Sequence, residues 1–472
     1  MNAMIRLLCS TIIVLLATTI ACIATDEIDL SPLDKAIVSE LNSANTPGCT
    51  VAVVSGDKII YAKAFGVANL ETGQPLELDA LFNIGSTTKM FTAYTLLSLA
   101  EDGKVDIHKP IGNYIKGLSP GLSNVTAAQL ISHTAGLEDL STIPEQDWDY
   151  QSGLGRYVHS MNDSMLFTEP GDVFSYSNPG FDIAGYLIEV VSGKPYADAV
   201  DERVLRPLCM NNTTFHLEYA VTHTMSQGHN PFATGKMAVM RPYDEVAGQW
   251  PAGFLLSNIY DMTKFATAMM NNGTLDGKQV LSSSIIKEMR TPRARQHQIN
   301  ANMSYGYGTD INTFDFGDIG HMGNAAGFSS IVMMVPERRI AVIFLDNGLG
   351  NNMLDSTKKA FGLMMPMRPE MQKEPMEMSQ EEMAEYVGTY TTTSGTVYGV
   401  KAVDGNLSLS QGGKLLPGQH EMEWPLFKLS NNDEFGYKDP SYTFLIPVQF
   451  SRGQDGTVKY FHTRTRAYLK VS

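Results

Sequence analysis

Apolar residues at Leu33, Ile37 and Leu41 recur with helical spacing ahead of Pro47-Gly48, and predict a helix over 33–41. Two apolar-rich runs follow at 49–55 and 58–65, joined by Gly56-Asp57, and read as a β-hairpin. A long helical pattern covers 86–101 and stops at Gly103. Strand patterning then fades between 104 and 255, where 127–132, 179–191 and 196–205 read as helices among Gly, Pro and Asn loops. Further helices are predicted over 262–270 and 283–289. Strands return at 328–335 and 339–345 around a Pro336-Glu337 turn, and 353–361 ends the pattern as a helix. Strands at both ends of a helical middle predict a mixed α/β domain over 25–365: an antiparallel sheet flanked by helices, with an inserted helical lobe.

Residues 366–380 are rich in Met, Pro, Glu and Lys without clean periodicity, as suits a linker. Beyond it, short strand-like runs at 386–391, 397–403, 407–410, 443–447 and 458–462 are separated by turns such as Asp404-Gly405 and Asp455-Gly456. They predict a small antiparallel β domain over 381–472, of barrel type. At the other end, Arg6 precedes an apolar run over 7–24 that reads as an export signal cleaved near Ala24. Two alternatives remain: Cys22 as a lipoprotein attachment site, although Thr19 replaces the usual leucine, or the run kept as a membrane tether. The protein is thus expected to be exported, to the periplasm or beyond, with or without an anchor.

With 472 residues, 43% of them hydrophobic and 18% charged, the chain has ordinary globular composition and the length of two folded units. A net charge of −15 argues against non-specific nucleic-acid binding, which requires basic surface. Cys49 and Cys209, left once 1–24 is set aside, read as two small buried hydrophobes rather than a disulfide framework. Sequons at Asn124, Asn212, Asn272 and Asn406 matter only in a glycosylating host. His223 and His229 read as solvent-facing loop residues. No zinc-ligand spacing, dinucleotide fingerprint or Gly-x-Ser-x-Gly elbow is present, so no metal and no cofactor is expected.

Three clusters carry candidate chemistry. In Gly85-Ser86-Thr87-Thr88-Lys89, a helix beginning at Ser86 would place Lys89 one turn on, on the same face. A serine hydroxyl needs a neighbour to accept its proton, and a lysine desolvated toward neutral pKa can do so. In Tyr176-Ser177-Asn178, the tyrosine could relay that proton, acting as phenolate beside Lys89, while Asn178 holds the lysine and a substrate amide. In His321-Met322-Gly323-Asn324, a glycine-rich edge would let substrate approach backbone N–H groups, and His321 could donate to substrate or to Tyr176.

These clusters, in this order, resemble the serine β-lactamase and penicillin-binding protein superfamily, in its class C-like branch of esterases and D-aminopeptidase-like enzymes. Ser86-Thr87-Thr88-Lys89 matches Ser-x-x-Lys, Tyr176-Ser177-Asn178 matches Tyr-x-Asn, and His321-Met322-Gly323 stands where Lys-Thr-Gly is usual. Pro47-Gly48, the 131–137 segment and Pro170-Gly171 agree as flanks. The resemblance implies an acyl-enzyme on Ser86, with Lys89 and Tyr176 sharing its proton, Asn178 orienting Lys89 and substrate, and the N–H groups of Ser86 and Asn324 receiving the oxyanion. It implies that the segment around His133 is structural. His321 and Met322 depart from the β-lactamase pattern, since the fixed charge and hydroxyl that meet a substrate carboxylate are gone. The implied substrates are esters, small peptides or amides, or cell-wall fragments. A cell-wall D,D-carboxypeptidase or β-lactamase is the alternative, and a non-catalytic interaction protein on a hydrolase fold is a third.

Overall fold

The computed structural model describes residues 28–139, 153–231, 235–243, 246–296, 302–367, 373–413, 422–438 and 445–472. The segment read as an export signal, Cys22 included, lies outside them, as do positions 443 and 444 of one predicted strand. Among the described residues no helix is long and apolar enough to cross a membrane.

The first unit is built on one antiparallel sheet. Its long strands lie in the order Ile319–Ala325, Phe328–Val335, Ile340–Asp346, Gly48–Ser55, Lys58–Asn69, extended at the edges by two-residue strands. Strand Gly48–Ser55 lies inside the sheet, and pairs through Val53 with Val342 on one side and Tyr61 on the other. Side chains alternate between faces with period two. Thus Val51, Val53, Ile331, Met333, Val342 and Phe344 form one core with helices Ser31–Ala44 and Leu354–Met364. Ala52, Val54, Val332, Met334, Ala341 and Ile343 join the other, beneath the helical lobe. Both faces are covered, so these strands are buried along almost their whole length and mostly apolar, with Thr50, Ser329, Ser330 and Asp346 as buried polar exceptions.

Helix Thr88–Glu101 runs through the second core and is buried from Thr88 to Leu99. A helix enclosed on every side is apolar all round, which makes the buried Lys89 conspicuous. It packs against helices Asn178–Ser192 and Trp250–Gly253.

The second unit is a closed eight-stranded barrel from Gly388–Thr391 to Arg466–Lys470, sealed where Tyr390 pairs with Lys470. Tyr390, Leu409, Phe435, Phe450 and Phe461 fill its interior. Closure removes the exposed edges an open sheet would offer. Two boundaries differ from the sequence reading. Tyr386 ends a helix, Gln380–Tyr386, capped by the Ser379 side chain, and the first barrel strand starts at Gly388. The fourth, fifth and eighth strands, Met422–Lys428, Glu434–Tyr437 and Arg466–Lys470, were not expected, and the sixth is Ile446–Arg452.

Two smaller expectations are corrected. His229 is buried, with Nδ1 2.9 Å from the Asn347 carbonyl oxygen, because a short strand seats it against the end of the sheet. Cys49 is buried but Cys209 is exposed, in a left-handed turn after the segment Asp201–Leu205; both thiols are free.

Candidate active site

Ser86 lies on a 3₁₀ turn, Gly85–Thr87, and the α-helix begins two residues after it, at Thr88. The turn is forced by crowding. Gly85 has φ +51°, and a Cβ there would stand 2.4 Å from the Asn324 amide nitrogen. A Cβ on Gly323 would stand 2.0 Å from the Ile84 carbonyl oxygen and 2.9 Å from the Ser86 nitrogen. Two glycines therefore let the serine turn and the edge of strand Ile319–Ala325 meet backbone to backbone. The contact brings the Ser86 and Asn324 amides to one place, beside the half-buried Ser86 side chain. The Asn324 side chain points elsewhere, accepting from Ser329 Oγ at 2.7 Å and donating to Asn352 at 3.1 Å.

Lys89 sits three residues beyond Ser86, fully buried. Its Nζ is 3.1 Å from Ser86 Oγ, 2.7 Å from Asn178 Oδ1 and 2.5 Å from the Ala252 carbonyl oxygen. Burial lowers its pKa to about 7, against pull in the other direction from the carboxylates of Asp182 and Asp139. Near neutral pH a substantial fraction of the amine is unprotonated. Two N–H bonds then go to the fixed acceptors, Asn178 and Ala252, and the lone pair is left facing Ser86.

Asn178 takes its place because it opens a helix. Ser177 caps that helix by accepting from the Gly180 N–H at 3.2 Å, and Pro179 occupies the first turn. Tyr176 precedes the cap in extended chain, with the Lys89 ammonium nitrogen 4.8 Å from its ring centroid. Burial holds the Tyr176 hydroxyl well above the ordinary phenol range, although a hydrogen bond with Ser86 opposes this. The resting tyrosine is therefore a neutral phenol, not the phenolate anticipated beside Lys89. His133 supports the loop from beneath. Its Nδ1 accepts the Ser177 N–H at 3.1 Å, its ring lies 4.1 Å from that of Tyr176, and burial keeps it neutral.

His321 is buried too. Nε2 is 3.0 Å from the Tyr305 hydroxyl and Nδ1 2.5 Å from the Met322 carbonyl oxygen, so Nδ1 carries the hydrogen and Tyr305 donates to Nε2. Burial, with repulsion from Lys89, lowers its pKa to about 3. The geometry ties His321 to Tyr305, and its ring centroid is 6.3 Å from that of Tyr176.

Several residues at the site carried no readable signal. Asp139 accepts the Asn178 N–H at 2.9 Å and pairs with Arg466, 327 positions away on the barrel. Asp182, one helical turn beyond Asn178, is buried with its carboxyl held well above the usual range by desolvation. Asp310 is pushed up to about 7 by burial next to Asp318. Among the described residues no three His, Cys, Asp or Glu side chains converge on a metal position.

A family model described as beta-lactamase matches residues 33–363. Penicillin-binding protein 4 of Amycolatopsis lactamdurans is 26% identical over 371 residues, covering 74% of this chain and 94% of that protein. Unguisins hydrolase ungD' of Aspergillus campestris is 29% identical over 332 residues, covering 66% of this chain and 61% of that protein. Among solved structures, SurE with D-Leu superposes with a TM-score of 0.73 at 22% identity, over 94% of this chain and 99% of that one, so the likeness in fold takes in the barrel.

Proposed function

The chain belongs to the beta-lactamase family and is one of its serine hydrolases; on that premise we propose that Ser86 is the nucleophile, Lys89 its base and Tyr176 the acid that serves the leaving group. The observation that carries this reading is the hydrogen bonding of Lys89, which aims one position of a near-neutral amine at Ser86 Oγ. Lys89 takes the hydroxyl proton as Oγ bonds to the substrate carbonyl carbon. The oxyanion forms against the N–H groups of Ser86 and Asn324, which the two glycines bring together. Collapse breaks the bond to the leaving group, and Tyr176 gives that group its phenolic proton. Proton return from the Lys89 ammonium to the phenolate leaves an acyl-enzyme with both side chains neutral. Water then attacks the ester carbonyl, its proton passing to this pair and back to Ser86 Oγ.

The substrates we propose are esters and small peptides or amides, including those built from D-amino acids. A curated relative named as a hydrolase favours hydrolysis in general, and a fold neighbour solved with D-Leu favours the latter. A cell-wall D,D-carboxypeptidase or β-lactamase is the second reading, favoured by the likeness to a penicillin-binding protein. It ranks lower because a neutral His321 turned toward Tyr305 supplies no charge for a substrate carboxylate. In this reading 1–24 exports the enzyme from the cytoplasm, 25–365 is the hydrolase domain, 366–380 the linker and 381–472 the β domain.

Intact-mass detection of acylation tests the assignment, with a p-nitrophenyl ester, a D-amino-acid amide, a D-Ala-D-Ala peptide and a β-lactam. The wild type should gain one acyl group from the ester and from the amide. Ser86→Ala should gain none and lose turnover; normal ester hydrolysis by that variant would sink the assignment. Rapid, complete β-lactam hydrolysis by the wild type would reverse the order of the two readings.

A further inference from the structure

The barrel does not merely adjoin the hydrolase domain. The turn between its last two strands, Val458–Thr463 and Arg466–Lys470, enters the active-site loop. The Tyr176 N–H donates to the Thr465 carbonyl oxygen at 2.9 Å, and the Ala467 N–H donates to Ser175 Oγ at 3.2 Å. Arg466 lies between these two contacts. Its guanidinium carbon is 4.8 Å from the Tyr176 ring centroid, equal to the distance of the Lys89 nitrogen from the same ring. The Asp139 carboxylate, mostly buried, fixes the guanidinium and accepts the Asn178 N–H with its other oxygen.

The chemistry of Tyr176 gives this placement a use. A buried phenol that surrenders its proton becomes a buried anion, costly unless cations face it. Lys89 is one such cation once it has taken the serine proton. The strand edge supplies no second, because His321 is neutral and engaged with Tyr305. Asp139 and Asp310 also act on Tyr176, and both oppose the anion.

Building on the assignment of Tyr176 as proton donor, we propose that the barrel completes the catalytic machinery: Arg466, positioned by Asp139, is the second cation that stabilises the Tyr176 phenolate as its proton passes to the leaving group. The step balances. The O–H bond of Tyr176 breaks as the C–N or C–O bond to the leaving group breaks, and the proton ends on the departing nitrogen or oxygen. The electron pair stays on the phenolate until the Lys89 ammonium returns a proton.

The test compares two uncharged substrates with the same acyl group. A p-nitrophenyl ester leaves without protonation, whereas a p-nitroanilide requires it. In full-length protein, Arg466→Gln should lower anilide acylation roughly ten- to hundredfold and ester acylation far less. Arg466→Lys should recover part of the loss. Asp139→Asn, which loosens the clamp but keeps the guanidinium and removes a charge that opposes the phenolate, should lower both rates and shift their ratio less than Arg466→Gln does. Equal losses on ester and anilide in Arg466→Gln would overturn the proposal, and so would a ratio change no larger than that of Asp139→Asn. An effect confined to substrates bearing a carboxylate would also overturn it, and would make Arg466 a substrate contact. Tyr176→Phe separates the two layers of argument. If that variant leaves the ester-to-anilide ratio unchanged, the role of Tyr176 itself fails; if it shifts the ratio and Arg466→Gln does not, only the role of Arg466 fails.

Discussion

Replacing Lys89 by methionine should abolish turnover and stabilise the fold, in a pH-dependent way that isolates this one side chain. An ordinary lysine titrates near 10.5, and burial lowers Lys89 to about 7. At pH 7 or below, the unfolded chain holds its proton without cost while the folded chain must bury a cation or give the proton up. At about 1.4 kcal/mol per pKa unit, the penalty near neutrality is about 4 kcal/mol. Methionine removes it but leaves Asn178 Oδ1 and the Ala252 carbonyl without their partner, at a cost of about 1–3 kcal/mol. A net gain of about 1–3 kcal/mol at pH 7 is expected. Between pH 7 and 10.5 this side chain binds more protons in the unfolded than in the folded wild type, so its contribution to stability rises with pH. The advantage of Lys89→Met should therefore shrink by about 1.4 kcal/mol per unit across that window. Urea denaturation of both proteins at pH 6, 8 and 9.5, followed by circular dichroism, measures the difference; titrations that Lys89 does not touch cancel, and Asp182 and Asp310, whose pKa values Lys89 lowers, add a smaller change. A difference that stays flat with pH would refute the argument, even if the acid limb of the activity profile fell near pH 7, because that limb would then belong to another group.

Gly323→Ala places a methyl 2.0 Å from the Ile84 carbonyl oxygen; separating the serine turn from the strand edge should cut acylation by about a hundredfold or more, as does the loss of an oxyanion donor, and a stopped-flow burst of wild-type rate would contradict it. His321, held near 3 by burial, should show no imidazole titration between pH 5 and 8 by NMR. His321→Gln, still able to accept from Tyr305, should accordingly retain the wild-type shape of the pH–rate profile over that range, and loss of a limb there would show that the imidazole titrates.

How much of this was legible in the sequence depends on distance along the chain. Ser86 and Lys89 lie within one turn, and Tyr176 and Asn178 sit just before and at the start of a helix whose Ser-Asn-Pro opening is a local capping signal. The sheet strands were readable because residues buried on both faces give consecutive apolar runs, as in 331–335. Barrel strands are short and carry core residues on one face only, so Met422–Lys428 and Glu434–Tyr437 gave too little pattern. Arg466 and Asp139 were invisible for a different reason. Their meaning lies in a contact between the two units, and no local spacing encodes it. The protonation states of His321 and Tyr176 were likewise out of reach, because burial sets both.

The interior position of strand Gly48–Ser55 also has a temporal consequence. Its first amide donates to Asn347, 299 positions further along the chain. During synthesis at about 5–20 residues per second, the N-terminal hairpin therefore waits roughly 15–60 s for the strand that covers its inner edge. Throughout that interval Val51 to Val54 present apolar side chains on both faces and unpaired backbone along one side, the surface that invites pairing with another chain. The nascent protein should be most vulnerable to aggregation, and most dependent on chaperones, until residues 340–346 emerge; the first strand made is among the last to be covered.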